Sequence, residues 1–110
     1  MLAKANRLPR RDFNRYFGSG RRAHSPYLTL VYTPDIVLRA SVVVGKKVAK
    51  LAHERNLIKR RLYAQIAKEL RLTGLAGTLI LVVKPPLAKL TRKEQALTLP
   101  AALGLLQKGR

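Results

Sequence analysis

The sequence predicts a small α/β (α+β) two-layer sandwich, with helices packed on one mixed sheet in the order α-β-β-β-α-β-α. Three observations carry that prediction. Tyr27–Thr33 (YLTLVYT) is rich in the aromatic and β-branched residues that favour strands. Thr78–Val83 is a continuous apolar run, as expected of a strand covered on both faces. Between them, Ile58, Leu62, Ile66 and Leu70 recur at a spacing that lines one side of a long helix.

The elements follow in order. Residues 1–8 read as a basic, flexible arm. Pro9 suits a first helical turn, and Arg10 to Phe17 keeps helical spacing until Gly18 and Gly20 close it. On that helix Phe13, Tyr16 and Phe17 share one face, and Arg11 and Arg15 share the opposite one. Pro34-Asp35 marks a turn after the first strand. Ile36 to Val44 is a second strand region, either one long bent strand or two. Gly45 releases it into a basic stretch, and the central helix runs from about His53 to Leu72. Pro85-Pro86 ends the strand begun at Thr78. Thr91 to Glu94 (TRKE) fits a capping box, opening a last helix that Pro100 bends or restarts. No internal repeat is visible, and residues 1–110 read as a single domain.

Composition narrows the function. Lys plus Arg is 23 against 5 for Asp plus Glu, a net charge of +18 in 110 residues with a pI near 11.5. Such a charge attracts phosphate irrespective of base sequence. A hydrophobic share of 47% is still that of a globular chain, not a disordered one. The absence of cysteine excludes a disulfide, a Cys-based zinc site and a thiol nucleophile, and it fits a reducing cytoplasm. The longest apolar stretch, Leu79 to Val83, is far too short to cross a bilayer. The opening MLAKANRLPRR lacks the apolar segment of a secretory signal. A cytoplasmic location without a membrane partner is expected; attraction to anionic lipid is the weaker alternative.

The densest feature is Lys46 to Arg61, KKVAKLAHERNLIKRR. It carries Lys46, Lys47, Lys50, Arg55, Lys59, Arg60 and Arg61 against the single acid Glu54. A solvated helix face usually mixes signs through i,i+4 pairs, and this one hardly does. Arg55, Asn56, Lys59 and Arg60 fall on the exposed side or shoulder of the helix's first turns. Guanidinium forks grip phosphate oxygens, and Asn offers a donor and an acceptor to a sugar or base edge. For Phe13, Tyr16 and Phe17 two readings stay open: core packing, the commoner fate of such a face, or a cleft where bases stack.

No protein active site is legible. His24 and His53 are far apart in sequence, and Asp12, Asp35, Glu54, Glu69 and Glu94 are scattered, so neither a triad nor a metal site is expected. If the chain serves an enzyme, the chemistry lies elsewhere.

The run Lys46 to Arg60 resembles the signature of the bacterial ribonuclease P protein subunit, whose hallmark is an Arg-Asn-Arg element followed by Lys-Arg at the start of a long helix. Arg11-Asp12-Phe13, Phe17 and Gly20-Arg21-Arg22 look like that family's N-terminal helix and following turn. The likeness spans roughly residues 7–107. It implies an α/β sandwich with a left-handed β-α-β crossover carrying the basic helix. It also implies a role beside a catalytic RNA that removes the 5′ leader of precursor tRNA, with Mg2+ held mainly by the RNA. The implied partners are that RNA and precursor tRNA, with no obligate protein partner.

Carried over by position, the resemblance implies RNA contacts for Lys46, Lys47, Lys50, Arg55, Asn56, Lys59, Arg60 and Arg61. It implies a 5′-leader cleft at Phe13, Phe17 and Arg11. Three positions depart from the pattern: Leu57 and Tyr63 stand where arginines are usual, and Val43 where a small polar residue is. Two rivals would differ in sequence. A small basic ribosomal or other structural RNA-binding protein would lack the ordered motifs, and a self-sufficient nuclease would need a carboxylate or histidine cluster.

Overall fold

Four strands form one sheet in the order β1-β2-β4-β3: β1 is Arg21–His24, β2 Leu28–Thr33, β3 Arg39–Val43 and β4 Thr78–Val83. The computed structural model describes residues 3–108; Met1, Leu2, Gly109 and Arg110 lie outside them. The β1–β2 and β2–β4 pairs are antiparallel and β3–β4 is parallel, so the sheet is mixed. The parallel pair is joined through the longest helix, α2 (Ala52–Thr73). Helices α1 (Arg10–Ser19), α3 (Arg92–Ala96) and α4 (Thr98–Lys108) complete the fold.

Strand alternation decides what each face buries. Leu28 and Leu30 of β2, with Leu79, Leu81 and Val83 of β4, point to one face. There they meet Ile58, Leu62 and Ile66 of α2 and Leu99, Ala102 and Leu106 of α4. Burying each such large apolar side chain contributes about 1.5–3 kcal/mol. Val31 and Ile80, one register step along, point to the other face. They form a smaller cluster with Leu8, against which Phe13, Tyr16 and Phe17 of α1 pack. The short α1 therefore covers the middle of that face only and leaves Val43 and Val82 half-buried beside it.

Local chemistry sets the boundaries. Gly74 ends α2 in the left-handed region (φ 67°), its N–H donating to Leu70 O at 3.0 Å. A side chain at Gly20 would place its Cβ 2.5 Å from Val31 Cγ1, so only glycine lets α1 turn so tightly into β1. Thr91 and Glu94 form the expected capping box: Thr91 Oγ1 accepts from the Glu94 N–H, and Glu94 Oε1 accepts from the Thr91 N–H. The helix stops at Ala96 and restarts at Thr98, with Pro100 in the new first turn, where proline is tolerated.

Two expectations change. The extra strand does not come from splitting Ile36–Val44, of which only Arg39–Val43 is strand while Ile36 is 92% exposed. It comes from Arg21–His24, which buries only Ala23 and carries two arginines on an outer edge; charge on an edge strand guards against stray pairing. The segment read as a free arm is docked over its described part. Lys4–Asn6 forms a 3-10 turn, Arg7 bridges Ala40, and Leu8 is buried with its N–H donating to Ala40 O at 2.8 Å. One apolar residue and an open strand edge suffice to hold it.

Candidate nucleic-acid interface

Strand β3 is the outer strand on its side of the sheet, so α1 on one face and α2 on the other can both reach its outer edge, part of which residues 6–8 already cover. They do. A cleft of about 420 Å³ is lined by Leu8, Arg10, Phe13 and Asn14 from the N-terminal side, Ser41, Val42 and Val43 of β3, and Lys59 of α2. Lys59 also lines an adjoining groove of about 240 Å³ with Arg7, Asn56, Arg60 and Tyr63. The two sequence motifs, distant along the chain, thus share one continuous surface at the β3 edge.

Within it the roles differ. Phe13 forms part of the cleft wall, whereas Phe17 stacks behind it (ring centroids 5.4 Å apart, interplanar angle 15°). Arg22 covers Phe17, its guanidinium 4.7 Å from the ring centroid and donating to Phe17 O at 2.6 Å. Arg11 is exposed on α1 and does not line the cleft; Arg10 holds that place. Asn56 and Arg60 are exposed and Lys59 is half-buried.

The remaining basic positions lie apart from the groove. Arg55 turns inward: its Nη1 donates to Ala49 O at 3.0 Å and Lys50 O at 2.7 Å, tying down the exposed loop that presents Lys46, Lys47 and Lys50. Arg61 faces α3, donating to Oε1 of the buried Gln95 at 3.2 Å. Leu57 is 42% exposed. Tyr63 is half-buried and its hydroxyl accepts the otherwise open N–H of Val42 at 3.1 Å, which satisfies a donor on the sheet edge. Arg7, Arg10, Asn14 and Ser41 were not singled out from sequence. The only available signal was Leu8, an apolar residue set between Arg7 and Pro9 in a basic segment.

Positive charge here is uncompensated. Among the described residues the one ion pair is Arg39–Asp35, at 3.9 Å, so no cation of the Lys46–Arg61 run has a carboxylate within 4.0 Å. No three His, Cys, Asp or Glu side chains come together among the described residues to hold a metal ion. No helix there is long and apolar enough to cross a membrane.

A prediction follows for Arg55. Hydrogen bonds from a charged group are worth about 1.5–3 kcal/mol when partly sheltered, and half-exposure puts Arg55 toward the low end. Arg55→Ala should lower the melting temperature and speed hydrogen exchange across residues 45–50. Unchanged exchange there would show that the loop does not depend on this clamp.

The fold and groove define a small basic α+β protein organised around a cationic, aromatic-walled sheet edge. The Ribonuclease P family model matches residues 2–106, and the chain belongs to that family, the protein component of ribonuclease P. It is 36% identical to the ribonuclease P protein component of Nitratiruptor sp. over 94 residues, covering 81% of this chain and 82% of that one. It is 44% identical to the Pseudanabaena sp. ribonuclease P protein component over 68 residues, 58% of this chain and 59% of that one. Among solved structures it resembles a Staphylococcus aureus RNase P protein mutant (TM-score 0.84, 21% identity, 94% and 90% of the two chains covered). It also resembles the RNase P protein of Thermotoga maritima (TM-score 0.76, 21% identity, 93% and 96% covered). At those identities the likeness is one of fold. The ribosomal alternative falls with the family match.

Proposed function

We propose that this chain is the RNA-binding subunit of ribonuclease P, binding the catalytic RNA and the 5′ leader of precursor tRNA and so supporting tRNA 5′ maturation in the cytoplasm. The observation that carries the reading is the β3 edge, where Phe13 and Lys59 share one cleft and Asn56 and Arg60 extend it. A single-stranded leader presents alternating phosphates and bases, and a groove with cations along one wall and an aromatic ring in the other meets both. Among the described residues no three His, Cys, Asp or Glu side chains come together to hold a metal ion, and in this reading the magnesium is held mainly by the RNA. The protein's part is to bind, orient and screen phosphate repulsion.

The test is reconstitution. Purified chain should leave labelled precursor tRNA intact by itself. Added to bacterial ribonuclease P RNA, it should lower the magnesium concentration needed for 5′ cleavage and tighten binding of leader-bearing substrate, because bound cations replace condensed counterions. Cleavage by rigorously RNA-free protein would overturn the division of labour, and no effect on the RNA's magnesium requirement would overturn the subunit role.

A further inference from the structure

We propose that Arg7, whose guanidinium lies over the Tyr63 ring, is a phosphate-binding residue of the groove, and that Tyr63 is its positioning residue. The ligand is the phosphodiester backbone of an RNA strand running along the outer edge of β3. This rests on the RNA-binding reading above and adds to it a cation from outside the basic helix.

Three observations converge. Arg7 is held at its backbone: it bridges Ala40, the next N–H donates to Ala40 O at 2.8 Å, and Asn6 Nδ2 donates to Leu38 O at 2.8 Å. Its guanidinium is also placed, 5.3 Å from the centroid of the Tyr63 ring. That ring is in turn fixed by its hydrogen bond with the Val42 N–H. Attraction to the π face of a ring uses none of the guanidinium's N–H donors, so they remain for a phosphate. A side chain ordered in advance loses less freedom when its ligand arrives.

Electrostatics points the same way. Arg7 is exposed, shares its groove with Lys59 and Arg60, and has no carboxylate within 4.0 Å among the described residues. Crowding a third cation there is unfavourable in the free protein and becomes favourable when a polyanion enters. Tyr63 alone could have covered the strand edge without Arg7 above it.

The test is salt-dependent binding of the full chain to precursor tRNA with a long single-stranded leader, comparing Arg7→Ala, Tyr63→Phe, Tyr63→Leu and Lys59→Ala. Arg7→Ala should reduce the magnitude of the log K against log[salt] slope by about 0.7, with roughly a fivefold loss of affinity near 0.1 M salt. Tyr63→Phe, which keeps the ring but loses its anchor on the Val42 N–H, should bind more weakly than the parent and more tightly than Tyr63→Leu. Tyr63→Leu should weaken binding several-fold, and Arg7→Ala should cost less in that background than alone. If Arg7→Ala leaves slope and affinity unchanged while Lys59→Ala weakens binding, the Arg7 proposal fails and the groove reading stands. If neither substitution changes binding, the groove reading itself fails. A loss of melting temperature with binding intact would make Arg7 a purely structural residue and would also overturn the proposal.

Discussion

Replacing Lys59 and Arg60 together with alanine is expected to lower affinity for long-leader precursor tRNA about 25-fold near 0.1 M salt, if both meet leader phosphates. The size comes from counterion release: each phosphate of a single strand neutralised contributes a factor of about [salt] to the power −0.7, close to fivefold at that concentration. The slope of log K against log[salt] should fall in magnitude by about 1.4. Stability should not fall with it. Neither side chain has a carboxylate partner among the described residues, and Arg60 is exposed. Removing two like charges from a chain of net charge +18 should leave the melting temperature level or raise it slightly. Titrations at several salt concentrations, read beside a thermal scan, check both halves. An unchanged slope would put the RNA on another face.

The second large effect concerns Phe13. A base stacked on an aromatic side chain is worth about 1–3 kcal/mol, or roughly 5- to 150-fold in affinity. Phe13→Leu keeps an apolar side chain against Val31 and Ile80 but removes the flat ring from the cleft wall. It should weaken binding of long-leader precursor tRNA within that range and leave mature tRNA nearly untouched. Phe17→Leu should do less to binding, since that ring sits between Phe13 and Arg22. Should Phe13→Leu bind both RNAs in the parental ratio and merely melt earlier, the ring is core and the leader site lies elsewhere. Phe13→Ala is the harsher control, because truncating a wholly buried Phe costs about 3–5 kcal/mol and this one is half-buried.

The long-range consequences of local pattern were readable where a single physical signal dominated. The apolar run Thr78–Val83 is the buried strand β4 over that same range, because a strand covered on both faces admits few polar residues. Ile58, Leu62 and Ile66 are buried on α2 as their spacing requires, and the Thr91–Glu94 box is formed. Strand β1 was not readable. Its four residues include two arginines and one buried alanine, a pattern that periodicity cannot separate from a basic turn.

The basic run and the aromatic face were visible in the sequence as two separate features, and so was the lack of clustered acid, histidine or cysteine. Their chemistry depends only on residue type and local spacing. What joined them was decided by topology. Because the sheet order puts β3 at the edge, Phe13 from one face and Lys59 from the other converge on it. The same long-range packing sorted the cations of the run, turning Arg55 to its own loop and Arg61 to Gln95 while Lys59 and Arg60 face the groove. It also brought Arg7 onto Tyr63. Side chains three or four apart on a helix reveal a shared face, but which neighbour that face meets depends on contacts between distant segments, and those exist only once the chain has folded.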